Sequence, residues 1–368
     1  MSRRLGVAAA LVGDRLLPGD VAVDDGRVEA VGLRPAGRTG LAVPGLVDVQ
    51  VNGYAGVDLA AADDAALTAA RRALAADGVT AFAPTLITGP PEVTVAALQT
   101  VARCSDGDGL ARVLGAHLEG PWISPDRLGT HPARHRRDPE GDDATLDAFL
   151  AAGPVALVTL APERPGAGAW IGRLTRAGVV VLLGHSDADA AQAHDAFDRG
   201  AAGVTHLFNA MPPLHHPAPG LAGVALTRPG VVLGVVADGH HLARAVVALA
   251  FAAAPDRVAL VTDAVAAAGM PDGSYRLGDV PVTLADGAVR NADGSLAGSA
   301  ATLAGCVREA VAAGVDPVAA LTAATRTPAD LLRRPDLGRV RPGGVADLVV
   351  LDDDLTVTTV LVGGGEAR

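Results

Sequence analysis

Apolar, largely β-branched residues gather into eight short runs in the middle of the chain, at 46–51, 79–82, 113–117, 155–160, 179–183, 203–206, 231–236 and 258–261. Runs of this length and density predict strands buried on both faces. Most are separated by Ala- and Leu-rich segments with helical spacing, such as 64–77 before Gly78 and 187–199 before Gly200, where the glycine suits a helix stop. Eight doubly buried strands alternating with helices predict an α/β fold, a (β/α)8 TIM barrel. The ends follow another rhythm. Residues 1–43 carry short strands with turns at Gly13-Asp14 and Asp24-Asp25-Gly26, and strand-like runs return at 346–351 and 356–362 around Asp352, Asp353 and Asp354. We expect 1–43 and 340–368 to form one small β domain and 44–339 to form the barrel. A β insertion near 273–297 is expected after the eighth strand, with turns at Asp286-Gly287 and Asp293-Gly294.

Composition narrows the function. Of 368 residues 49% are hydrophobic and 2% aromatic, and every basic residue other than histidine is arginine, a bias to which we attach no functional meaning. The net charge of -11 argues against a partner recognised through a nucleic-acid backbone. An anionic substrate needs a local site. Cys104 and Cys306 are the only cysteines, which excludes a disulfide scaffold and points to a reducing, cytoplasmic setting. The basic and apolar opening superficially resembles an export signal, but Asp14 and Arg15 interrupt it early. No stretch is apolar for long enough to span a bilayer, so neither a membrane nor a nucleic acid is an expected partner.

Polar residues collect where the predicted strands end. Gln50 and Asn52 close the first strand, Glu119 follows the third, His185 the fifth, His206 ends the sixth and Asp263 follows the eighth. In a barrel all of these share the C-terminal rim, where active sites lie. A histidine ending one strand is usually a hydrogen-bonded structural residue, and Glu119 alone reads equally well as a salt-bridge carboxylate. Together, Glu119, His185 and His206 form a His2Glu set suited to one divalent metal ion, most simply zinc with an open position for water. Asp263 is the candidate general base, able to take a proton from the attacking water and pass it to a leaving group. It reads alternatively as a metal ligand or as an orienting carboxylate.

The motifs Pro44-Gly-Leu-Val-Asp48, His117-Leu-Glu-Gly-Pro-Trp122, Gly129-Thr-His131, Gly184-His-Ser186, Thr205-His-Leu-Phe-Asn-Ala-Met211, Ala237-Asp-Gly-His-His241 and Val261-Thr-Asp-Ala264 resemble those of the amidohydrolase superfamily. Within it they are similar to the N-acetylglucosamine-6-phosphate deacetylases, and the similarity spans nearly the whole chain. The resemblance implies a TIM barrel of the amidohydrolase type with a small β-sandwich from both termini, often a homodimer, that releases acetate from the 2-acetamido group of an amino-sugar phosphate. It implies Glu119, His185 and His206 as metal ligands, Asp263 as acid and base, and His131 as the group polarising the amide carbonyl. Asn209, Ala210 and His241 would bind the substrate phosphate.

Two positions depart from the pattern. Gln50 and Asn52 stand where many amidohydrolases have a His-x-His pair for a second metal, and amides are poor zinc ligands, so one ion per subunit is expected. Pro217 stands where the family usually has an arginine that reaches the substrate phosphate across the dimer interface. Losing such a charge-assisted bond costs about 1.5–3 kcal/mol, roughly ten- to more than a hundredfold in affinity. His215, His216, Arg134, Arg136 and Arg137 are the nearest stand-ins, although a solvated basic loop explains those arginines equally well. The alternatives are a deacetylase of an unphosphorylated or different N-acetylhexosamine and, from another class, a non-catalytic barrel that binds without turnover.

Overall fold

The computed structural model describes residues 2–105 and 109–367. All eight expected strands form one parallel barrel: β1 (Leu46–Val51), β2 (Val79–Ile87), β3 (Ala116–Glu119), β4 (Val155–Leu160), β5 (Val180–Leu183), β6 (Gly203–Val204), β7 (Val232–Val235) and β8 (Val258–Leu260). Between and after them run α1 (Asp64–Ala76), α2 (Pro91–Arg103), α3 (Asp143–Ala152), α4 (Ala167–Arg176), α5 (Ala190–Asp198), α6 (Gly220–Thr227), α7 (Arg244–Ala253) and α8 (Leu303–Ala312). The ladder is continuous from β1 to β8. Beyond β8 the ring closes through single contacts: Asp263 N–H donates to Gln50 O at 3.0 Å, and Val51 bridges Ala264 in parallel.

Local chemistry explains the boundaries. Asp63 caps α1 by accepting from Ala66 N–H, and the helix stops before Gly78 at φ +94°, a conformation only glycine adopts freely. The segment expected at 187–199 becomes helical only from Ala190, because Asp189 and Gln192 form a capping box that sets the start. The run ending at Phe82 continues to Ile87 despite Pro84; that proline, lacking an N–H, falls where the register against β1 shifts. The run at 113–117 splits instead. Gly115, at φ +98°, breaks it, leaving Arg112–Val113 on the lower part of β2 and Ala116–Glu119 on the upper part. The sixth strand stops at Val204, so His206 lies two residues beyond it rather than at its end.

Two cores result. Val47, Val49, Ala81, Ala83, Leu157, Val180 and Leu182 pack together inside the barrel, with Ala329 and Leu337 among them. Residues of opposite parity, such as Phe82, Val158, Leu160, Val181 and Leu183, pack outward on helix residues including Leu74, Leu98, Trp170 and Ile171. Both termini build further sheets. A six-stranded sheet joins Gly365–Glu366, Val357–Val362, Leu348–Leu351, Leu41–Pro44, Ala9–Val12 and Arg15–Pro18, and a three-stranded sheet joins Arg3–Arg4, Asp20–Asp24 and Arg27–Leu33. Val21, Val23, Val28, Ala42, Leu348 and Leu361 form a core shared by the two sheets. After β8, Gly273–Leu277, Val280–Ala285 and Ala288–Arg290 make a separate three-stranded sheet, its hairpin turning through Asp286 (φ +51°) and Gly287 (φ +77°) as an Asp-Gly turn should.

Candidate active site

Two imidazoles, carried just beyond β5 and β6, meet one carboxylate oxygen from the end of β3. Glu119, the last residue of β3, places Oε1 3.0 Å from His206 Nε2 and 3.2 Å from His185 Nε2, and the two Nε2 atoms are themselves 3.0 Å apart. All three residues are buried. His185 Nδ1 lies 2.8 Å from the carbonyl of Arg127, which can only accept; Nδ1 therefore carries a proton, and Nε2 is the ring nitrogen that faces the cluster. His206 Nδ1 is buried with no hydrogen-bond partner among the described residues. Two imidazole nitrogens and a carboxylate oxygen this close need a shared proton or a cation between them. Burial by itself would raise the Glu119 carboxyl, but the His185 and His206 imidazoles outweigh it and hold it well below the usual range. Burial likewise opposes charge on His206, and the Glu119 carboxylate lifts it above its ordinary value. This donor set fits a divalent ion of the zinc type.

His131 approaches from the loop after β3, its Nε2 3.9 Å from Glu119 Oε2. Burial, followed by the neighbouring His185, pushes the ring well below its ordinary pKa, so it is neutral. Thr88 N–H donates to Nδ1 at 3.3 Å, and the Thr88 hydroxyl lies 2.8 Å from the same atom. With Nδ1 accepting, the proton sits on Nε2, where it can be donated into the cleft. Trp122 anchors this loop by packing on Phe149 and Trp170 and donating from Nε1 to Asp142 at 2.8 Å.

Asp263 faces the cluster from beyond β8. Its Oδ1 accepts from Asn52 Nδ2 at 2.7 Å and from Gln50 Nε2 at 3.1 Å, and Gln50 Nε2 also reaches Glu119 Oε1 at 3.2 Å. The two amides that replace the His-x-His pair thus orient the two carboxylates. Burial and the charge of Glu119 push Asp263 up to about 6, a value suited to giving and taking protons near neutrality. His185, His206, Phe208, Ala210 and Asp263 all have positive φ, between +29° and +75°. Left-handed backbone at a non-glycine residue costs on the order of 1–3 kcal/mol and concentrates at functional sites.

The cleft, about 340 Å³, is lined by all eight residues given a metal, catalytic or substrate role from the sequence: Glu119, His131, His185, His206, Asn209, Ala210, His241 and Asp263. His241 is held by Asp238, whose Oδ2 lies 2.7 Å from Nδ1 and whose Oδ1 accepts from the backbone N–H groups of both His240 and His241. Ala210 O accepts from Ser186 N–H at 3.1 Å, which ties that turn to the His185 loop. The suggested stand-ins for the missing arginine do not line the cleft. Arg134 pairs with Asp279, Arg136 with Asp138 and Arg137 with Asp142, while His215, His216 and Pro217 are exposed. Sequence reasoning passed over Thr88, Asp238 and the carbonyl of Arg127. Thr88 ends the motif Pro84-Thr-Leu-Ile-Thr88 and Asp238 lies within Ala237-Asp-Gly-His-His241, whereas a carbonyl leaves no sequence signal at all.

Residues 41–366 match the model of the amidohydrolase family. The chain belongs to this family. As an amidohydrolase it shares 40% identity over 336 residues with human N-acetylglucosamine-6-phosphate deacetylase, covering 87% of this chain and 82% of the human protein. It is also 40% identical over 331 residues to an N-acetylgalactosamine-6-phosphate deacetylase of Escherichia coli O157:H7, covering 88% of this chain and 87% of that one. Among solved structures, the N-acetylglucosamine-6-phosphate deacetylase of Thermotoga maritima superposes with a TM-score of 0.91 at 30% identity, covering 100% of this chain and 99% of that one. A mutant of the Mycobacterium smegmatis deacetylase in complex with N-acetyl-D-glucosamine-6-phosphate gives 0.91 at 37% identity, with coverage of 100% and 99%. This amidohydrolase is thus an enzyme with the family's barrel.

Proposed function

We propose that the protein hydrolyses the 2-acetamido group of N-acetylglucosamine 6-phosphate to glucosamine 6-phosphate and acetate. The observation that carries this reading is the convergence of Glu119, His185 and His206 on one point, with neutral His131 and the raised carboxyl of Asp263 beside it. In this reading Glu119, His185 and His206 hold one divalent ion per subunit, zinc by the chemistry of the donors. When bound, such an ion supplies Lewis acidity, easing the ionisation of water and withdrawing charge from a carbonyl. Asp263 takes the water proton as the new C–O bond forms. His131 Nε2–H donates to the carbonyl oxygen as it gains charge, and Asp263 returns the proton to the nitrogen as the C–N bond breaks. Asn209, Ala210 and His241 bind the phosphate.

The 40% identity to a deacetylase of N-acetylgalactosamine 6-phosphate, equal to that for the human relative, favours a second reading in which the hexose differs. Pro217 extends it to unphosphorylated sugars. Zinc-loaded protein offered N-acetylglucosamine 6-phosphate, N-acetylgalactosamine 6-phosphate and free N-acetylglucosamine separates these readings by kcat/KM for acetate release. The proposed function predicts the first as the best substrate, and release from none of the three overturns it. The proposal also includes a cytoplasmic homodimer and a β domain of 1–43 with 340–368 around a catalytic unit of 44–339. No helix among the described residues is long and apolar enough to cross a membrane.

A further inference from the structure

Directly beneath the cluster lies a buried polar chain that the proposed chemistry does not use. His117 is fully buried, two residues before Glu119 and on the same face of β3. Its Nδ1 is 3.0 Å from Val49 O, and its Nε2 is 2.7 Å from Thr159 Oγ1. Thr159 Oγ1 in turn lies 2.6 Å from Thr205 Oγ1. The direction of every bond follows from the groups present. Val49 O can only accept, so His117 Nδ1 donates and the Nε2 of the neutral ring accepts from Thr159. Thr159 has then spent its one proton, so the Thr205 hydroxyl donates to it.

The chain runs Thr205, Thr159, His117, Val49, and the three members other than His117 adjoin residues of the active site. Thr205 precedes His206, Thr159 pairs with Glu119 across the β3–β4 ladder, and Val49 precedes Gln50. The Thr159–Thr205 bond also skips a strand, because β5 lies between β4 and β6. Gly184 permits this. A Cβ there would stand 2.9 Å from Thr205 Cβ and 3.0 Å from Thr159 Cγ2, wedged between the two threonines.

We propose that this hydrogen-bonded belt, with His117 at its centre, positions the metal ligands by fixing the distance between the strand ends that carry Glu119 and His206. It rests on the reading of Glu119, His185 and His206 as a metal site. Partners outside the ligand shell typically change metal affinity roughly 10–100-fold.

The test is the zinc dissociation constant of the full-length protein, stripped and reloaded against a competing chelator. Thr159→Val, which keeps shape and removes the hydroxyl, should weaken binding roughly 10–100-fold, with Thr159→Ser restoring it. Thr205→Val should behave like Thr159→Val and provides the same measurement should the first variant misfold. Gly184→Ala should weaken zinc binding without deleting any hydrogen-bonding group. A general loss of packing would affect the serine variant too and would not single out metal affinity. Folded valine variants with unaltered zinc affinity overturn the belt and leave the site reading intact. Wild-type protein that takes up no divalent ion overturns the site reading, and the belt falls with it.

Discussion

Replacing Asp263 with asparagine isolates its proton chemistry. Asparagine has the same shape, and its carbonyl oxygen can take over the bonds that Asp263 Oδ1 receives from Asn52 at 2.7 Å and Gln50 at 3.1 Å. The barrel and the Glu119–His185–His206 cluster should therefore survive, while the group able to hold a proton is lost. General acid–base groups contribute about 10²–10⁴ in rate, so Asp263→Asn should lower kcat by that factor, about 3–5 kcal/mol of barrier. The pH profile gives an independent check. Burial and Glu119 raise Asp263 to about 6, and in the proposed chemistry its ionised form is the base. Protonation on the acid side removes that form, so wild-type kcat/KM should fall tenfold per pH unit below about 6 and level off above it. A cation alongside favours the carboxylate and moves this limb only toward lower pH. Acetate release measured across the acidic and neutral range, with zinc content determined on the same samples, reads both effects. A variant with full turnover, or one that loses turnover but keeps the same acidic limb, refutes the assignment.

Four further outcomes follow from other contacts. If the proposed ion is held at Glu119, His185 and His206, chelator treatment should abolish acetate release and one equivalent of zinc should restore it, followed by metal titration against activity. Glu119→Gln removes the carboxylate both imidazoles address and should weaken zinc by more than the roughly 10–100-fold typical of outer partners, read by chelator competition. His131→Phe removes the Nε2 donor and should cost roughly 10²–10³ in kcat at unchanged zinc content, read by steady-state kinetics with metal analysis. Asp48, fully buried against Thr262, is pushed up to about 7 chiefly by burial. A carboxyl whose pKa rises on folding favours the folded state most below its unfolded value near 3.8, and that contribution fades as pH climbs toward 7. Asp48→Asn mimics the protonated group, so its Tm relative to wild type should rise between pH 4 and pH 7, by no more than roughly 4 kcal/mol in stability. A Tm difference independent of pH over that interval contradicts the burial argument.

The eight strands and the rim were legible because barrel strands are buried on both sides and leave dense apolar runs, and because polar residues are expensive anywhere in a barrel except at its mouth. Glu119, His185, His206 and Asp263 could therefore be placed on one rim from order alone. Strand limits were less legible where glycine and proline act through backbone geometry, as at Gly115 and Pro84. What the linear order leaves open is everything set by contacts between residues distant in the chain. The Arg127 carbonyl fixes the tautomer of His185, Thr88 fixes that of His131, and left-handed turns aim His206 and Asp263 inward. Pairing of Arg134, Arg136 and Arg137 with nearby aspartates likewise depends on how the loops fold back. The sequence determined which chemistry is available and on which end of the barrel it sits, since periodicity and residue type are local properties. Only the tertiary structure decided which ring nitrogens donate and which charges pair, because those depend on atoms brought together across the barrel.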